Sequence, residues 1–303
     1  MAPSLRAIVS YTSSLVSRIP FFGSNDIRDV SPYEPLSAAP FCPFDGPMSC
    51  HNDTPVTGDS CCFVYPGGRM LLAQGWDQDI HAHGAEEDWT LRGLWPDLCD
   101  GSKADSCSLT PQYTNITAIH RYYGQDELLE FMDRYWLAAS GPNADLWTSE
   151  FNKHGACINT LAPACYGASH RPGIEVVDYF ARAAALFRTL DTYRALEQAG
   201  IVPDAGRQYA LADVRKALER FSGGRVVLRC SGATEEEEDG GEELNRRGKG
   251  KVLREVRYVF FIRGSLQTGQ FVPAQELGLG EDGDAGNCEP RVRYLPKRGK
   301  GEL

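Results

Sequence analysis

No run of apolar residues in this chain approaches the ~18 that a membrane span requires, and no internal repeat is visible along its 303 residues. Neither a membrane helix nor a repeat architecture is expected. Basic residues are also in short supply, 31 against 41 acidic ones, so the formal net charge is -10. Tight, sequence-independent nucleic-acid binding needs many cations neutralising phosphates. Any contact with a nucleic acid therefore has to be local, inside a cleft. The C-x2-C spacing of zinc sites is missing, and only 6 histidines are present.

What the chain does have is cysteine. Cys42, Cys50, Cys61, Cys62, Cys99, Cys107, Cys157, Cys165, Cys230 and Cys288 are even in number and spread along its length, which reads as five disulfides in an oxidising compartment. Ten reduced core cysteines in a cytosolic protein are the alternative. Two sequons, Asn52-Asp-Thr54 and Asn115-Ile-Thr117, make Asn52 and Asn115 candidate glycosylation sites and add support for secretion. Residues 1–40 form a targeting or flexible segment with Arg6, Arg18, many serines and no acid before Asp26. Its apolar stretch from Leu5 to Val16 is broken by Ser10, Ser13 and Ser14, a poor signal peptide. Secretion, or delivery within the vacuolar or secretory pathway, is the expectation, with mitochondrial transit as the alternative.

With 42% hydrophobic residues the chain can bury an ample core, expected as one domain over residues 41–295. Apolar runs at 69–76, 89–95, 225–230 and 255–262 suit strands. Periodicity of three and four suits helices over 126–138, 149–160, 174–198 with a break near Asp191, and 211–221. Strands and helices do not alternate regularly, so the class is α+β. Residues 232–251 are a charge-segregated, glycine-spaced tract that cannot bury a core, expected as a solvated loop insertion joining two strands. Residues 296–303 are expected to be a frayed tail.

Two segments carry the chemistry: Trp89-Thr-Leu-Arg-Gly-Leu-Trp-Pro-Asp97 and Trp147-Thr-Ser-Glu-Phe-Asn-Lys-His-Gly-Ala-Cys157. If the second is helical, Glu150 and His154 stand at i and i+4 with Lys153 between them, all toward one side. An imidazole there can take a proton from a 2′-hydroxyl, while a carboxyl and an ammonium stabilise a phosphorane. A solvated Glu/Lys/His helix face is the bland alternative, as a core tryptophan is for Trp95. His51, His120 and His170 read as surface or hydrogen-bonded structural residues, and His81-Ala-His83 is weak as a metal pair.

These two strings resemble the signatures of the ribonuclease T2 family: His-Gly-Leu-Trp-Pro after an apolar strand, and Trp-x-His-Glu-Trp-x-Lys-His-Gly-Thr-Cys on a helix. The resemblance runs from about Phe41 to Cys288 and includes Ser60-Cys-Cys-Phe-Val64 and Glu255-Val-Arg-Tyr-Val-Phe260. It implies a disulfide-stapled antiparallel sheet flanked by helices, with pairs Cys42–Cys62, Cys50–Cys99, Cys61–Cys165, Cys107–Cys157 and Cys230–Cys288. It also implies His154 as general base, with Glu150 and Lys153 stabilising the transition state. Trp95 and Asp97 fall where one RNA base is held and Gln74 where a second contact is expected.

The departures matter more. Arg92 stands where the family has the histidine assigned as general acid, and Ser149 where it has a phosphate-binding histidine. A guanidinium, with a pKa above ~12, holds its proton too tightly at about pH 5 to 7 to hand it to a leaving alkoxide. Losing an acid–base partner typically costs about 10²–10⁴ in rate. The expectation is a protein that holds single-stranded RNA or nucleotides in its cleft with catalysis impaired, needing neither cofactor nor metal. An active endoribonuclease giving 2′,3′-cyclic phosphate ends through His154, Glu150 and Lys153 is one alternative. A secreted noncatalytic effector or interaction module on the same fold is another.

Overall fold

The computed structural model describes residues 32–51, 60–78, 85–104, 107–231, 251–276 and 286–297. In chain order the elements are β1 (Arg69–Gly75), β2 (Thr90–Asp97), α1 (Ile116–Tyr122), α2 (Asp126–Tyr135), α3 (Asn143–Lys153), α4 (Ile174–Arg188), α5 (Thr192–Gln198), β3 (Gln208–Ala210), α6 (Leu211–Ser222), β4 (Val226–Ser231), β5 (Val252–Arg263), β6 (Gln270–Pro273) and β7 (Arg291–Arg293). The 12-residue β5 organises the sheet. One of its edges pairs with β1, which pairs with β2, and its other edge takes β4 and then β6, all antiparallel. Only β7 meets β5 in parallel, at the single pair Val252 and Arg293. The α+β class is as expected, with that one parallel junction.

Strand parity decides what each side chain faces. Met70 and Leu72 of β1 enter the large core, packed with Phe180 and Ala184 of α4, whereas Leu71 joins Val227, Val259 and Ala274 on the opposite face. α4 is buried around most of its circumference, as a helix sandwiched between a sheet and other helices must be. The expected break near Asp191 is real, because Asp191 caps α5 by accepting the Arg194 amide at 3.0 Å. The expected helix over 149–160 is corrected: α3 starts at Asn143 and ends at Lys153, and short 3-10 turns follow from Gly155.

Both expected domain edges also shift. Tyr33 is buried with its hydroxyl donating to Asp178, and the Leu36 amide donates to the same carboxylate at 2.7 Å. Residues 32–40 thus belong to the folded unit. At the other end Lys297 is buried, its ammonium donating to the carbonyls of Ala85 and Asp88 and lying 4.6 Å from the Trp76 ring centroid. Residues 298–303 lie outside the described residues, as do 232–250, the bulk of the charged tract. Its flanks, Ser231 and Val252, are directly paired in the β4–β5 ladder.

All five disulfides connect as the family resemblance implied: Cys42–Cys62, Cys50–Cys99, Cys61–Cys165, Cys107–Cys157 and Cys230–Cys288. They close loops with separations of 20 to 104 residues, each worth about 3–5 kcal/mol in the chain-entropy account. Among the described residues no helix is long and apolar enough to cross a membrane.

His120 departs from its expected role. It is fully buried on α1, edge-on to Phe180 at 5.3 Å between ring centroids, and neither ring nitrogen has a hydrogen-bond partner among the described residues. Burial pushes its pKa down from 6.5 to about 3. A folded-state pKa below the unfolded one means that the unfolded chain binds the extra proton, so this group opposes folding progressively as pH falls below about 6.5. His120→Leu should therefore gain stability relative to the natural protein by about 3 kcal/mol more at pH 4 than at pH 7, read from urea unfolding. A difference that does not change with pH would show that His120 finds a proton partner in the fold.

Candidate active site

The site begins with an irregularity in β2. Ala73 pairs with Gly93 but Gln74 pairs with Leu91, leaving Arg92 as the extra residue of a β-bulge. Bulges re-aim a side chain, and here Arg92 lies over Gly75, where a Cβ would collide with its guanidinium. Nη2 of Arg92 donates to both carboxylate oxygens of Asp77, at 2.5 and 2.6 Å. Asp77 follows β1 and was not singled out from sequence.

One residue along, Gly93 provides a second close approach. A Cβ there would collide with Oε2 of Glu150 and the indole nitrogen of Trp95, so the helix carboxyl lies against the sheet. Trp95 Nε1 donates to that Oε2 at 2.8 Å. Burial raises the Glu150 pKa from 4.5 to about 7, against the opposing influence of the Trp95 hydrogen bond and the Lys153 and Arg92 charges. Desolvation penalises the charged carboxylate more than these partners favour it.

His154 caps α3 and sits beside Trp95, with ring centroids 5.5 Å apart. Burial first, then the Lys153 and Lys103 charges, lower its pKa to about 4. Above that pH the imidazole is neutral and able to accept a proton. Ser149, Lys153, His154, Trp95 and Asp97 all line one cleft of about 1260 Å³. Its other wall is held in place by Asn152, which exchanges hydrogen bonds with the Tyr113 backbone at 3.0 and 2.8 Å, and by the Cys107–Cys157 bridge. Trp95 is thus a cleft residue rather than a core one.

The cleft also contains cations that the sequence reading gave no role: Lys103, Arg229 and Arg257. Arg257 lies 4.9 Å from the Trp95 ring centroid and its Nε donates to Glu255 at 2.5 Å. The alternation Glu255, Arg257 against buried Val256, Tyr258 was the available signal that these charges share an outward face.

Gln74 requires correction as a base contact. It is fully buried, with Nε2 donating to the Leu190 carbonyl at 2.9 Å and Oε1 accepting from Thr192 at 2.6 Å. It shares parity with Met70 and Leu72, the core-facing side, so its amide ties β1 to the start of α5. Asn115 is exposed and caps α1 through Oδ1 at 2.9 Å. Asn52, His81 and His83 lie outside the described residues. Among the described residues no group of three or more His, Cys, Asp or Glu is placed to hold a metal ion.

His154, Lys153, Trp95 and Asp97 thus share one cleft of a disulfide-stapled α+β domain, while Glu150 is buried against the Trp95 indole and neither it nor Arg92 is among the lining residues. A family profile described as the Ribonuclease T2 family matches residues 67–260. The chain is 41% identical over 261 residues to ribonuclease Trv of Hypocrea rufa, covering 86% of this chain and 100% of that one. It is 39% identical over 260 residues to ribonuclease T2 of Aspergillus oryzae, covering 86% and 85%. The crystal structure of Actibind, a T2 ribonuclease, matches with a TM-score of 0.72 at 35% identity over 85% of this chain and 98% of that one. The chain belongs to the ribonuclease T2 family.

The Glu150 environment has a measurable signature. Carbon-13 NMR of the glutamate carboxyls should show one titrating near pH 7, and Trp95→Phe, which removes a donor to the charged form, should move it higher. A Glu150 midpoint near the ordinary carboxylate value in both proteins would refute this account of the site.

Proposed function

We propose that this cleft holds single-stranded RNA or nucleotides and that cleavage is strongly impaired, because Arg92 stands where the general-acid histidine is expected. The observation that carries this reading is the hold of Asp77 on Arg92 Nη2. A guanidinium gives up its proton too reluctantly to serve a leaving alkoxide, and this one already spends that nitrogen on a carboxylate. Ser149 contributes a neutral hydroxyl where a cation would assist the phosphate. His154, Glu150 and Lys153 keep the remaining roles of base and charge stabilisers, Trp95 and Asp97 those of base contacts. Five disulfides and the exposed sequon at Asn115 support maturation in the secretory pathway.

A second reading, an active endoribonuclease, is supported by the meeting of Glu150 and His154 at Trp95, whose indole donates to the carboxylate at 2.8 Å and whose ring centroid lies 5.5 Å from the imidazole. Between the pKa of His154, about 4, and that of Glu150, about 7, a neutral imidazole and a protonated carboxyl coexist. His154 would then take the 2′-hydroxyl proton, the 2′-oxygen would attack phosphorus, and the 5′-oxygen would leave with the Glu150 proton, giving a 2′,3′-cyclic phosphate end. Such a pair works on a bell-shaped pH profile between its two values.

The deciding experiment scores 2′,3′-cyclic ends from single-stranded RNA at about pH 5 for the natural protein, Arg92→His, Arg92→His/Ser149→His and His154→Ala. The impaired reading expects natural turnover near that of His154→Ala and a gain of about 10²-fold or more in the double variant. Natural turnover far above the His154→Ala level, falling above about pH 7 and lost in Glu150→Gln, would overturn it in favour of the second reading.

A further inference from the structure

We propose that the cleft extends past Trp95 onto the outer face of β5 and β4, where Arg257 and Arg229 form a second phosphate subsite, so that the protein takes an RNA segment rather than a single nucleotide. This rests on the reading that the cleft holds RNA. The argument starts from strand register. Arg257 pairs with Val227 and Glu255 with Arg229, so Arg257 and Arg229 are diagonal neighbours on one face of the β4–β5 ladder, about 7–8 Å apart. Two long arginine side chains rooted at that separation can bring their guanidinium forks to one phosphate.

Continuity with the site comes through the same sheet. Ala73 pairs with both Gly93 and Arg257, and the Arg257 guanidinium lies 4.9 Å from the Trp95 ring centroid. From β2 across β1 and β5 to β4 is three interstrand steps, about 14 Å at ~4.8 Å each. Stacked nucleotides advance only ~3.4 Å along a strand. The cleft volume of about 1260 Å³ likewise exceeds the ~300–1,000 Å³ usual for small ligands.

Charge also marks this face. In a chain of net charge -10, the cleft gathers Lys103, Lys153, Arg229 and Arg257 against Asp97. Glu255 accepts from Nε of Arg257, and Glu150 accepts from the Trp95 indole. The terminal nitrogens of Arg257 make no further hydrogen bond among the described residues, and its guanidinium lies beside Trp95 in the cleft lining. A structural role for Arg257, holding the indole by its cation–π contact alone, would affect any ligand of Trp95 equally. That difference makes the proposal testable.

The test measures binding of adenosine 3′-monophosphate and of an uncleavable 2′-O-methyl tetra-adenylate to the full chain across a salt series. Arg257→Ala and Arg229→Ala should each weaken the tetranucleotide at least about tenfold more than the mononucleotide. Each should also flatten the plot of log affinity against log salt by about 0.7, and Arg257→Lys should restore most of the slope. Equal weakening of the two ligands, or no change in slope, overturns the subsite while leaving RNA binding intact. Failure of the natural protein to bind either ligand overturns both the subsite and the RNA-binding reading.

Discussion

The cleft depends on how closely a helix can lie against a sheet. Glu150 reaches its place because residue 93 has no side chain, and Arg92 lies flat because residue 75 has none. A glycine in a strand ordinarily weakens it. Here the two absences let a carboxyl and a guanidinium settle onto the sheet surface, where Trp95 and Asp77 meet them. The same closeness removes water from Glu150 and so governs its proton affinity. Altering the site by any bulkier residue at 93 would displace the carboxyl and the indole together.

Much of this was legible in the sequence because the decisive patterns are local. The strands at β1, β2, β4 and β5 announce themselves by apolar runs, and the break before α5 by Asp191. The disulfide connectivity came only through family resemblance, since ten cysteines alone leave the pairing open. What escaped depends on register and parity. Asp77 sits beyond the strand pattern, and its meeting with Arg92 exists only once β1 and β2 are aligned around the bulge. Arg229 and Arg257 are distant in sequence and adjacent only across the β4–β5 ladder. Gln74 was misplaced although the alternation along β1 put it with Met70 and Leu72, facing the core. His120 gave no sign that it would be buried without a hydrogen bond, because burial of α1 is decided by its packing on α4.

Electrostatics and covalent bracing act together around the cleft. The cleft lining is cationic in a chain whose formal net charge is -10, which concentrates field lines where a polyanion would enter. The cationic wall near Lys103 belongs to a loop with little secondary structure of its own. Cys50–Cys99 and Cys107–Cys157 bracket that loop, so Lys103 is tied covalently to the wall opposite the cations that the strands and α3 carry.

The bulge in β2 also bears on how this lineage can change. Arg92 has no ladder partner, and its backbone is held independently of its side chain, the Arg92 carbonyl accepting from the buried Trp136 indole at 3.2 Å. The pairing on either side, and with it the positions of Trp95 and Asp97, does not pass through the side chain at 92. Chemistry is thereby uncoupled from folding at this position. A side chain can be exchanged there by descent through a single replacement, with the ladder around it left in place.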